Sequence, residues 1–146
     1  MIALIQRVTE ASVRVDGLVI GEIHAGLLAL IGVVTDDDRA KADRLLQRVL
    51  DYRVFADTAG RMNLSLRDTA GGLLLVPQFT LAAETERGNR PGFSGAAAPP
   101  RARTLFEHML LRAQATHASV ASGSFGAHMQ LSLINDGPVT FWLEAH

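Results

Sequence analysis

The side chains able to do chemistry are few, and their types narrow what that chemistry can be. Five histidines, His24, His108, His117, His128 and His146, are scattered with no HExxH or comparable metal-ligand spacing, and isolated histidines read as structural or solvated groups. There is no cysteine, so thiolate zinc sites, cysteine nucleophiles and disulfide frameworks are excluded. No GxSxG elbow, Walker loop or GxGxxG turn occurs either. A side-chain triad or a metal hydrolase is therefore not expected, and neither is a cofactor.

Three segments remain. In LLLVPQFTL a buried-strand run meets Pro77, which cannot donate to a ladder, and continues into Gln78, Phe79 and Thr80. A proline here marks a strand end, edge or bulge. It either frees main-chain N–H groups to face a cleft, as an oxyanion site requires, or leaves an edge strand with Gln78 and Thr80 pointing outward. Thr80 has no histidine or lysine near it in sequence to act as a base, which argues against a nucleophilic role.

The second segment, GNRPGFSGAAAPP, is a loop of small residues and prolines holding Asn89, Arg90 and Phe93, with Arg87 before it and Arg101 and Arg103 after it. Arginines beside a stacking ring suit a single-stranded RNA end; a solvated loop is the plainer alternative. The third, NDGPVTFWLE, reads locally as a hairpin turn. Arg7 complicates that account. It shares a strand face with Ile5, Ala11 and Val13, so its guanidinium either points inward toward carbonyl or carboxylate acceptors or snorkels at a sheet rim.

The elements that must position these groups follow from periodicity. Alternation predicts a strand over Ile2–Val15, an Asp16-Gly17 turn and a return through Leu18, Val19 and Ile20; a third strand covers Leu27–Val34. Thr35-Asp36-Asp37-Asp38 reads as an N-cap with first-turn carboxylates. The helix it opens runs to about Tyr52, with Ala42, Leu45, Leu46, Val49 and Leu50 as its apolar stripe. Short strands are predicted at Val54-Phe55 and Met62–Leu66, and a buried one at Leu73–Val76. A second helix opens at Pro99-Pro100 and ends near His117. Two alternating strands, Met129–Ile134 and Val139–Glu144, close the chain. Strands dominate and the helices lie far apart, so the class is α+β: a mainly antiparallel, barrel-like β-sheet with two principal helices, in one domain spanning 1–146.

Composition agrees with a single core: 146 residues, 48% hydrophobic, 20% charged, formal net charge -1, mean hydropathy +0.17. No apolar stretch reaches the ~20 residues of a membrane helix, and MIALIQRVTE carries Arg7 and Glu10 where a secretory signal would be apolar. A cytoplasmic location is expected. Near-neutral charge excludes binding nucleic acid by global phosphate neutralisation, so any polynucleotide contact must be local. All fourteen basic residues but Lys41 are arginine, which fits planar phosphate recognition and codon bias equally.

Taken together, MIALIQRVTEASVRVDG, QFTL, GNRPGF and MQLSLINDGPVTFWLE closely resemble bacterial D-aminoacyl-tRNA deacylase, in order and spacing, over essentially the whole chain. The resemblance implies ester hydrolysis that frees D-amino acids, and glycine mischarged onto alanine tRNA, from the tRNA 3′ end. By resemblance Gly137-Pro138 is a Gly-cisPro motif whose carbonyls hold the substrate amino group, with Arg7 anchoring it. Gln78, Phe79 and Thr80 belong to the SQFTL motif, where main-chain groups stabilise the oxyanion and the substrate's own 2′-hydroxyl helps activate water. Arg87, Asn89, Arg90 and Phe93 are then the tRNA-facing loop. The family pattern also implies a homodimer in which one subunit's Gly-cisPro completes the other's pocket. The chain departs from it at Pro77, usually serine, and at Gly92, where serine is frequent. Two other readings stand beside it: a non-catalytic RNA-end or small-ligand binding module, and an oligomerisation scaffold.

Overall fold

The computed structural model describes residues 1–146. Its organising element is β1 (Ile2–Val15), long enough to pair with three strands. One edge of β1 takes β3 (Gly26–Gly32) along its first half and β2 (Leu18–Ile23) along its second, both antiparallel. The other edge takes β8 (Gln130–Glu144), also antiparallel, from Ile2↔Glu144 to Arg14↔Gln130. The predicted Asp16-Gly17 turn links β1 to β2, both residues at positive φ (50° and 78°), as a tight hairpin of this twist demands.

Beyond β3 the sheet turns parallel, with β6 (Gly72–Pro77) on β3 and β7 (Val120–Ser122) on β6. β7 comes back against β2, so the sheet nearly closes into a barrel. Parallel neighbours need helical crossovers, and α1 (Arg39–Asp51) and α3 (Pro99–Thr116) lie on these two connections. A two-stranded flap of β4 (Phe55–Ala56) and β5 (Met62–Leu64) and the one-turn α2 (Leu66–Thr69) complete the α+β architecture.

Pleating sends alternate side chains to two cores. Leu27, Ala29, Ile31, Leu73 and Leu75 pack outward with the apolar stripes of α1 and α3, while Leu28, Leu74 and Val76 face inward with Val8, Ala11, Val13 and Ile23. β3 and β6 are thus buried on both faces, which explains their unbroken apolar sequences. No helix is long and apolar enough to cross a membrane.

Several boundaries differ from the sequence expectation for local reasons. Asp38 alone caps α1, accepting the Lys41 N–H at 2.8 Å. Asp37 is instead wholly buried: its carboxylate takes the Met1 ammonium at 2.7 Å and the Val34 N–H at 2.7 Å, and its carbonyl takes Arg101 at 2.5 Å. The Met1 ammonium also donates to Ala145 O at 3.1 Å, which ties the two ends of the chain together. β3 stops at Gly32, and β5 stops at Leu64 because Ser65 and Asp68 form a capping box for α2.

The larger correction concerns the C-terminus, where the two expected strands are one. Both halves of β8 pair with β1, so residues 135–138 do not form a hairpin turn. β1 also shifts register between Val8 and Glu10. A one-residue shift exchanges faces, so Ile5 lies in one core and Ala11 and Val13 in the other; Arg7 shares a face only with the first.

Removing one partner of a buried ion pair strands the other charge, so Asp37→Asn is expected to destabilise the fold by about 3 kcal/mol in urea unfolding at neutral pH. Asp38, Asp57 and Asp68 have carboxyls held below their ordinary value of 3.8, chiefly by hydrogen bonds from the Lys41 N–H, the Asn63 amide and the Ser65 N–H respectively. Their stabilisation is complete above that value and lost as pH falls through the lowered folded values. Urea midpoints are therefore expected to decline below about pH 4.

Candidate active site

Pro77 ends a strand that is flanked by both β3 and β7 over Leu73–Leu75 and by β3 alone at Pro77, so the proline marks a strand end. Its missing N–H costs nothing toward β3, because the bond to Ile31 O comes from Gln78 N at 2.7 Å. The chain then closes into a 3₁₀ turn, Phe79–Ala82, whose first bond runs from Leu81 N to Gln78 O at 3.2 Å. The N–H groups of Phe79 and Thr80 precede that bond and are not used within the turn. The Gln78 side-chain amide donates to the Thr80 hydroxyl, and no carboxylate, histidine or lysine is hydrogen-bonded to it. The hydroxyl is thus oriented by an amide and lacks the adjacent base that an activated nucleophile needs.

The loop that follows is held to the end of β3 by two bonds, Thr35 N–H to Gly95 O at 3.1 Å and Ala97 N–H to Val33 O at 3.0 Å. This brings Phe93 to Phe79, with ring centroids 5.1 Å apart, within the spacing of interacting aromatic pairs, and planes tilted by 51°. Phe79 remains 58% exposed. Arg87, Asn89 and Arg90 stand on an exposed arch whose neck is closed by Glu84 and Gly92, paired through both main-chain groups at 2.7 and 3.1 Å. A Cβ at Gly92 would meet Glu84 at an ordinary 3.6 Å, so the position accepts serine or glycine alike.

Arg101 and Arg103, which sequence grouped with this loop, are occupied elsewhere. Arg101 holds the Asp37 carbonyl, and Arg103 lies over the Phe125 ring at 5.0 Å from its centroid. Phe125 is one wall of a cleft of about 700 Å³, lined also by Gln78, Phe79, Phe93, His128 and Met129. Sequence reasoning missed Phe125, His128 and Met129, which come from the segment between β7 and β8 and carry no local signal of a site. His108 and His117 have structural partners, Asp43 at 2.8 Å and Gly71 O at 2.6 Å.

Gly137 and Pro138 lie elsewhere on the molecule. Opposite the single residue Arg7, between the pairs Gln6↔Thr140 and Val8↔Asn135, β8 holds four residues, and Asp136, Gly137 and Pro138 arch outward exposed to solvent. The Gly137–Pro138 peptide is cis. Arg7, its side chain only 17% exposed, donates through Nε to Asp136 O at 2.8 Å and through Nη1 to Val54 O at 2.7 Å. Its guanidinium is therefore largely buried, bonded to two carbonyls with the Asp136 carboxylate 3.7 Å away. Arg7 is level with Leu27 on β3 and Pro77 with Ile31, four residues or about 13 Å further along the strand. None of Arg7, Gly137 and Pro138 lines the cleft.

The chain is thus a nearly closed α+β barrel with a cleft lined by Gln78, Phe79, Phe93 and Phe125. A family model described as D-Tyr-tRNA(Tyr) deacylase matches residues 4–144, and the chain belongs to that family. A D-aminoacyl-tRNA deacylase of Thioalkalivibrio sulfidiphilus is 63% identical over 144 residues, covering 99% of this chain and 97% of that protein. Among solved structures, one titled c-Myc DNA Unwinding Element Binding Protein superposes with a TM-score of 0.96 at 36% identity, covering 100% of this chain and 99% of the other. A probable eukaryotic D-amino acid tRNA deacylase gives 0.83 at 15% identity, covering 98% of each chain, a likeness of fold.

Gly137 has φ of 145°, and a Cβ there would stand 2.6 Å from Val139 Cγ2 and 2.9 Å from Val139 N. Gly137→Ala is expected to displace the arch at a cost of about 1–3 kcal/mol. Amide shifts confined to residues 135–140 and Arg7 would check this.

Proposed function

We propose that this chain hydrolyses the ester of D-aminoacyl-tRNA, and of glycine mischarged onto alanine tRNA, releasing free amino acid and tRNA while rejecting L-aminoacyl esters. The observation that carries the reading is that Arg7, which holds the exposed Gly137–Pro138 arch, is level on β3 with a residue four positions, or about 13 Å, from the one level with Pro77, and that neither Gly137 nor Pro138 lines the cleft. An arch built with this care and facing solvent needs something to face, and the cleft of a second copy is the site it would complete. The unpaired outer edge of β8, with Ile134 and Trp142 half exposed, supports association with a second copy.

In the assembled site the terminal adenosine lies in the aromatic cleft against Phe79 and Phe93, and Arg87, Asn89 and Arg90 take phosphates of the tRNA end. Water, activated with help from the substrate's 2′-hydroxyl, adds to the ester carbonyl carbon. The N–H groups of Phe79 and Thr80 stabilise the oxyanion; its collapse breaks the bond to the ribose oxygen, which leaves with a proton. Gly137 and Pro138 carbonyls from the partner copy accept from the substrate ammonium. With that group fixed, a D side chain or the hydrogen of glycine points away from the arch, whereas an L side chain collides with it. No metal or other cofactor has a step in this scheme, which would proceed on tRNA in the cytoplasm.

Purified protein is expected to release D-Tyr from tRNA and leave L-Tyr in place; equal release would sink the chiral reading, and tight tRNA binding without turnover would favour a binding module. Thr80→Ala should keep most activity. Arg87→Ala with Arg90→Ala should raise KM with little change in kcat and flatten the salt dependence of tRNA binding. Arg7→Ala and Phe79→Pro subunits, each inactive alone, should regain activity when mixed, since one of the two shared sites then draws both intact halves.

A further inference from the structure

We propose that Asn135 is a positioning residue that holds the Gly137–Pro138 arch rigid, and that the chiral discrimination read above depends on it. The inference rests on that functional reading, but its geometry is independent of it. Asn135 Oδ1 accepts the Val139 N–H at 2.7 Å, while Nδ2 donates to Val139 O at 3.2 Å and to Thr140 Oγ1 at 3.0 Å. In an antiparallel ladder a residue exchanges its N–H and C=O with the residue opposite. Val139 has no partner in β1, because Arg7 alone faces residues 136–139 and its guanidinium is directed to Asp136 and Val54. One side chain thus replaces a missing strand neighbour, which demands a group carrying donor and acceptor together; a carboxamide supplies both and a carboxylate only one.

The clamp fixes the arch at its base. Asn135 is in register with Val8, and its side chain pins Val139 four residues on, leaving Asp136, Gly137 and Pro138 as the whole span. Val139 in turn fills the space beside Gly137, where a Cβ would stand 2.6 Å from its Cγ2. An arch that yields would admit an L side chain, so rejection by collision is only as good as this stiffness.

The test compares the full-length protein with Asn135→Ala and Asn135→Asp, measuring deacylation of D- and L-Tyr-tRNA and hydrogen exchange at the Val139 amide. For Asn135→Ala we expect Val139 exchange and the L-to-D rate ratio each to rise about tenfold, the equivalent of one lost hydrogen bond, with the melting temperature nearly unchanged. Asn135→Asp keeps the acceptor for Val139 N–H and should fall between, and it decides the matter if the alanine variant does not fold. Val139 as protected as in wild type, or discrimination intact, in the folded alanine variant, or in the aspartate variant where alanine does not fold, overturns the proposal. If wild-type protein itself shows no D-selective turnover, the functional reading fails, and Val139 exchange alone then judges the clamp.

Discussion

The Gly137–Pro138 arch depends on one guanidinium set against a mismatch between two strands. β1 and β8 run side by side for most of their length, but where β1 has one residue, Arg7, β8 has four. The surplus must leave the sheet, and its main-chain groups lose their ladder partners as it does. Arg7 supplies part of what is lost by donating to the Asp136 carbonyl, and its second bond, to Val54, joins the arch to the segment leading into β4. A lysine has one compact ammonium and could not serve two carbonyls lying in different directions with the same fixed geometry.

The cleft obeys a different constraint. Its floor is the end of a central strand, and strands end where the next N–H or C=O has somewhere else to go. Pro77 completes β6, Gln78 makes the last bond to β3, and the turn that follows leaves two amides ahead of its first internal bond. Such donors are held by the backbone and need no reorganisation when charge develops nearby. The Thr80 hydroxyl meets the Gln78 amide there and no base.

Pro77 leaves the β3–β6 ladder intact although it lacks an N–H. The position lies at the last rung of the β3–β6 ladder, where the flanking residue carries the bond. Arg101 and Arg103 illustrate the opposite lesson. They follow Arg87 and Arg90 closely in sequence and share their chemistry, yet α3 turns them toward Asp37 and Phe125, where they brace the molecule.

Much of the fold was legible because local periodicity reports burial on one face: β1, the Asp16-Gly17 turn, the stripe of α1, the bounds of α3 and the buried run of β6 all lie close to where their patterns put them. The residue types also determined the kind of chemistry available. Local pattern carries no information on what a segment pairs with. It therefore read residues 135–138 as a turn, gave Asp37 to a helix cap, and placed Arg7 on one face with Ala11 and Val13. Tertiary structure decided those points. The partner of each group is more than a hundred residues away for Arg7 and Asp136, and thirty-six away for Met1 and Asp37, and a single shifted register in β1 exchanges inside for outside along everything that follows.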